Sequence, residues 1–155
     1  MAARRNVTAV RPYEDEENIR SKVFAHIEEA GLELAPEDVI PPGTSDDDAL
    51  LIVLNRPTHV FLVPFHAHRD TSGALITGLE FLKRLDIEAP QLARCPVLMP
   101  VTTTAEAVVS AYLSSPARRV GTLSERVLVL PEKRLGDTAL AHEIRSHVAR
   151  WPAND

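Results

Sequence analysis

Two short runs of this chain are apolar with no polar residue at alternate positions: Val60-Phe61-Leu62-Val63 and Val127-Leu128-Val129-Leu130. A strand with one wet face alternates apolar and polar residues, so a strand that does not must be covered on both faces. Pro96 to Val101 supplies a third buried run of the same kind. Between the runs the period changes to that of a helix. Buried strands alternating with helices require a parallel sheet with helices on both faces.

The elements follow in order. Val7 to Val10 is a first strand, closed by Arg11-Pro12. A helix from Asp15 to Ala30 carries Ile19, Val23, Ile27 and Ala30 on one stripe, acidic residues in its first turn, and Gly31 just past its end. Asp38 to Ile40 is a short second strand, and Ser45 with Asp48 has capping-box spacing for a helix through Leu54. The third strand is His59 to Val63. Leu75, Ile76, Leu79, Leu82 and Leu85 give the third helix, and Pro96 to Val101 the fourth strand. Thr103 and Glu106 start a fourth helix, with Val108, Val109, Tyr112 and Leu113 on its apolar side. Ser114 to Glu125 is a polar loop, and Arg126 to Leu130 the fifth strand. Asp137 caps a last helix whose stripe is Leu140, Ile144, Val148 and Trp151. Right-handed crossovers leave few topologies, and the simplest is a flavodoxin-like, doubly wound α/β sheet of five parallel strands in the order 2-1-3-4-5.

Length and composition set the bounds. With 155 residues the chain is expected to form one domain over 1–155, with 1–5 and 152–155 as frayed tails. A net charge of −5 argues against nucleic acid or an anionic membrane as partner. No apolar run reaches the roughly 18 residues of a membrane span. Arg4 and Arg5 are not followed by an apolar stretch, so no secretory leader is expected. The single cysteine, Cys95, cannot form an internal disulfide and fits a reducing compartment, so a cytoplasmic location is expected.

From about Asn6 to Val148 the order of elements resembles the receiver domain of bacterial response regulators. Local stretches carry the likeness. Thr77-Gly78-Leu79-Glu80-Phe81-Leu82-Lys83-Arg84-Leu85 is similar to part of a receiver's third helix. Pro96 to Thr102 is similar to its fourth strand with a hydroxyl residue at the end. Ala105-Glu106-Ala107 resembles the start of its fourth helix, and Val127-Leu128-Val129-Leu130-Pro131 its fifth strand with the following proline.

The resemblance implies five working positions: an acidic pair for magnesium, an aspartate that takes the phosphoryl group, a Ser or Thr, and a Lys. The chemistry needs a carboxylate nucleophile, a divalent cation for the crowded oxygens, and a hydroxyl and a cation to read the product. Here the set is broken. Pro64 aligns with the phosphoacceptor and Leu130 with the lysine, while Lys133 comes three residues late. Arg11 and Pro12 fall near the acidic pair, with Glu14 and Asp15 slightly after it. Thr102 is kept. The expectation is a pseudo-receiver: the fold retained, ordinary phosphotransfer lost, no cofactor required.

The third strand runs into Pro64-Phe65-His66-Ala67-His68-Arg69-Asp70, at the strand end where open α/β sheets collect ligands. His66, His68 and Asp70 match part of the His-x-His-x-Asp-His pattern of metallo-β-lactamase-like hydrolases, whose chemistry is metal activation of water. Thr71 stands where the next histidine should be. A solvated loop is the favoured reading. A small metal- or nucleotide-dependent enzyme using His66, His68 and Asp70, together with Asp15 and Thr102, is the alternative. No Gly-rich phosphate loop is present, since Gly73 and Gly78 match no such motif.

In receivers the face of the fourth helix, fifth strand and fifth helix makes the output contacts. On this chain that face would carry Tyr112, Arg118, Arg119, Arg126 and Trp151, residue types favoured at the centres of protein contacts. The sequence therefore points to a non-catalytic signalling or scaffold domain with a protein partner, self-association being left open.

Overall fold

The computed structural model describes residues 7–10, 17–34, 39–40, 44–55, 60–65, 68–69, 75–76, 78–90, 95–102, 107, 109–111 and 126–151. The elements are β1 (Val7–Val10), α1 (Glu17–Glu29), β2 (Val39–Ile40), α2 (Asp46–Leu54), β3 (Val60–Leu62), β4 (His68–Arg69), β5 (Leu75–Ile76), α3 (Gly78–Glu88), β6 (Val97–Val101), β7 (Val127–Pro131) and α4 (Leu140–Ala149). Ala107 and Val109 to Ala111 are also helical. A 3-10 turn at Glu132–Arg134 links β7 to the last helix.

Five strands form one parallel sheet in the order β2-β1-β3-β6-β7. Numbered among themselves, that is 2-1-3-4-5. The apolar strands read without alternation because their two faces enter two different cores. Phe61, Val63, Val97, Met99 and Val101 pack with Leu50 and Val53 of α2 and with Phe81, Leu82 and Leu85 of α3. Val60, Leu62, Leu98 and Leu130 pack on the other side with Val23 and Ile27 of α1 and with Leu140, Ile144 and Val148 of α4. Both sets are dry, so alternation of side is invisible as alternation of polarity.

Local signals set the helix ends. Ser45 is the N-cap of α2, its hydroxyl accepting from the Asp48 N–H at 3.2 Å. Gly31 follows α1 with φ +84°, the left-handed conformation that glycine adopts without strain. The carbonyls that α1 leaves open at its end are met from α4: Arg145 donates to Glu29 O at 2.9 Å and to Ala30 O at 3.2 Å. Asp137, expected to cap the last helix, stands two residues before the N-cap of α4, Ala139, and accepts from the Ala139 N–H at 2.9 Å.

Two expectations need correction. Leu75 and Ile76, read as the first turn of the third helix, form β5, which pairs antiparallel with β4. A short apolar run suits a strand as well as a helix, and period cannot separate them over so few residues. The helix begins instead at Gly78, where the backbone presses on the carbonyl of Pro64: a Cβ at this position would lie 2.3 Å from that oxygen. Arg126, read as an exposed contact residue, is fully buried. Its Nη1 donates to both oxygens of Asp86 on α3, at 2.8 and 3.0 Å, and its Nε to Cys95 O at 3.0 Å.

Candidate functional site

Parallel pairing brings the carboxyl ends of β1, β3, β6 and β7 to one edge of the sheet. The register places Ala9 beside Leu62, Leu62 beside Leu98, and Val101 beside Pro131. Past its last paired residue β3 continues as Val63, Pro64 and Phe65, with Val63 N–H donating to Leu98 O and Phe65 N–H to Pro100 O. Pro100 offers β3 a carbonyl but has no N–H to give. The residues closing this edge are thus Pro64, Phe65, Val101, Thr102 and Pro131.

Pro64 and Pro131 are buried, and Thr102 is partly buried. Leu130 is fully buried and belongs to the core on the α1 and α4 side of the sheet. Lys133 is exposed, in the 3-10 turn after β7. Glu14 and Asp15 lie outside the described residues. Those described at the sheet edge supply no carboxylate, so they do not make a magnesium site, and no step is assigned to that ion.

His66 and Asp70 likewise lie outside the described residues, while His68 falls in β4 opposite Ile76. Among the described residues there is no group of three or more His, Cys, Asp or Glu side chains placed to hold a metal ion. On the expected contact face, Tyr112, Arg118 and Arg119 lie outside the described residues. Trp151 is partly buried just after α4, its backbone N–H donating to Val148 O at 3.1 Å.

The fifth strand and last helix, two elements of the expected contact face, also enclose a concavity whose lining residues the sequence reading did not name. A groove of about 260 Å³ lies between β7, the edge strand, and α4. Leu128 lines it from the sheet, and His142, Glu143, Ser146, His147 and Arg150 line it from the helix. Four residues per step, His142, Ser146 and Arg150 make one exposed stripe. The carboxylate of Glu143 is engaged elsewhere. Its two oxygens accept from Arg134 at 2.6 and 2.9 Å, which holds its carboxyl below the usual range. His147 is buried, and its Nε2 donates to Arg126 O at 2.6 Å. Burial pushes its pKa down, against the raising effect of that hydrogen bond, and the nearby charge of Arg150 lowers it further. The 142-146-150 spacing is the available sequence signal.

The architecture is that of receiver domains: a five-stranded parallel sheet in receiver order, wound by helices on both faces. It is similar to a sensor protein from Polaromonas sp. JS666, with a TM-score of 0.59 and 14% identity over 96% of this chain and 98% of that one. It is also similar to the REC domain of AraT, a response regulator from Geobacillus stearothermophilus, with a TM-score of 0.54 and 15% identity over 96% and 98% of the two chains. The chemotaxis response regulator CheY4 of Vibrio cholerae gives a TM-score of 0.53 and 19% identity over 94% and 99%. At these identities the likeness is one of fold. The sequence matches no protein-family model and no curated protein.

Proposed function

We propose that this chain is a receiver-like signalling domain that works by protein contact and is not phosphorylated by the ordinary aspartyl route. One observation supports the reading: Pro64, two residues past β3 and without a nucleophile, is buried under Gly78, and it is the residue that the receiver resemblance aligns with the phosphoacceptor. Leu130, in the lysine's place, supports it by belonging to the α1 and α4 core. Thr102 alone of the reader residues is kept. With the phosphoryl chemistry gone, what the fold still offers is surface, and we assign the partner contact to the face of Tyr112, Arg118, Arg119 and Trp151. Arg126 leaves that face for the interior. Cys95 is buried and in no disulfide, which is consistent with work in a reducing cytoplasm. Among the described residues no helix is long and apolar enough to cross a membrane.

Incubation with acetyl phosphate and magnesium, followed by intact-mass measurement, tests the reading. The expected result is an unmodified chain. A phosphoryl adduct that hydroxylamine removes, as it does an acyl phosphate, would overturn it.

A further inference from the structure

The groove between β7 and α4 has the chemistry of a receptor for a carboxylate. Glu143, the one acidic residue among the described residues lining it, has its charge paired with Arg134. Arg150 is exposed and makes no ion pair with any described residue. An available guanidinium, a hydroxyl at Ser146 and an imidazole at His142 therefore stand in line along one side of the groove. Leu128, partly exposed on the edge strand, gives the opposite side an apolar wall.

We propose that this groove binds an acidic segment of a partner protein, an Asp or Glu side chain going to Arg150 and Ser146 and an adjacent apolar residue to Leu128. Charge complementarity selects this occupant. A guanidinium pairs with a carboxylate through strong, directional hydrogen bonds, and the cavity holds a side chain with its neighbour rather than a whole domain. The position beside an edge strand suits an extended segment, whose alternate side chains fall on one side. The assignment rests on the reading of the chain as a protein-contact domain, and it gives the fifth-strand and last-helix part of the proposed contact face a defined anchor.

The test is an amide-resolved NMR titration of the intact chain with two capped peptides, Ala-Leu-Asp-Leu-Ala and Ala-Leu-Asn-Leu-Ala. Sodium acetate serves as a third ligand. The expected result is saturable shifts at Leu128, His142, Ser146 and Arg150 with the aspartate peptide. Affinity should fall about ten-fold with the asparagine peptide and by a similar factor in Arg150→Gln. Arg150 is exposed at the helix end, so its substitution leaves the fold intact. Equal shifts with both peptides, equal shifts with acetate alone, shifts confined to other residues, or no saturable shift would each overturn the groove assignment. None of these outcomes bears on the acetyl phosphate experiment, so the two readings fail separately.

Discussion

The guanidinium of Arg126 holds both carboxylate oxygens of Asp86, at 2.8 and 3.0 Å, with the arginine fully buried and the aspartate 27% exposed. The pair ties the start of β7 to α3 across the bottom of the sheet. Arg126 O accepts from His147 of α4, so one residue joins elements on both faces.

The two partners of that pair should respond unequally. Asp86→Ala strands a buried cation and is expected to cost about 2–3 kcal/mol, less than for a fully buried pair because water reaches the aspartate. Adding Arg126→Met to it should recover part of that loss, since no charge is then left inside. Urea unfolding of both variants decides the matter. A double variant weaker than Asp86→Ala alone would contradict the account.

Gly78→Ala puts a methyl against a backbone oxygen that cannot swing aside. A loss of about 1–3 kcal/mol is expected. Gly136→Ala, where nothing lies within 4 Å, should change stability little. Equal midpoints for the two variants in thermal melts would show that the Pro64 contact relaxes freely.

His147 gives stability a dependence on pH. Its folded pKa lies below 6.5, so the ring is neutral in both states above that value and the fold keeps its full strength. As pH falls below 6.5 the unfolded chain takes the proton first, and stability declines until pH reaches the depressed folded pKa. His147→Gln retains a side-chain donor for Arg126 O and cannot titrate, so it should flatten the curve in this window. Glu143 and Asp137, whose carboxyls are held low by Arg134 and by the Ala139 N–H respectively, act below pH 4.5 and 3.8 and do not confuse it. An unchanged slope between about pH 5 and 6.5 in the variant would remove His147 as the source.

Charge reversal on the proposed contact face should separate binding from folding. Arg118→Glu with Arg119→Glu is expected to abolish capture of the partner while leaving the melting temperature near its original value. Arg126 variants should do the opposite, lowering stability with binding per folded molecule retained. Capture that survives the double reversal would move the partner to another surface.

Metal content tests the enzyme alternative at His66, His68 and Asp70. Purified protein is expected to carry no stoichiometric metal. A bound ion lost in both His66→Ala and His68→Ala would make the loop a site in its own right.

The sheet was legible because its cause is local: β3 and β7 announce two covered faces in a few consecutive residues. Ser45 and Gly31 were legible for the same reason, each acting on a neighbour within one turn. Arg126 was not. Its partner Asp86 lies far along the chain, and a lone arginine at a strand entrance looks like any surface charge. Leu75 and Ile76 are ambiguous because a two-residue apolar run fits strand and helix alike, and their pairing with His68 and Arg69 is what makes them a strand. The proposed loss of the phosphoacceptor rests on the alignment of Pro64, just past β3, that the receiver resemblance implies. The groove needed the juxtaposition of α4 with an edge strand, which no stretch of sequence displays.

The meeting of Gly78 with Pro64 has one more implication. The chain that leaves the sheet after Phe65 is back against Pro64 by Gly78, so the two ends of the stretch between are held side by side. Lengthening or exchanging such an excursion costs little closure entropy and asks nothing of the core. A change in the residues between those two ends would leave the two core clusters on the faces of the sheet untouched.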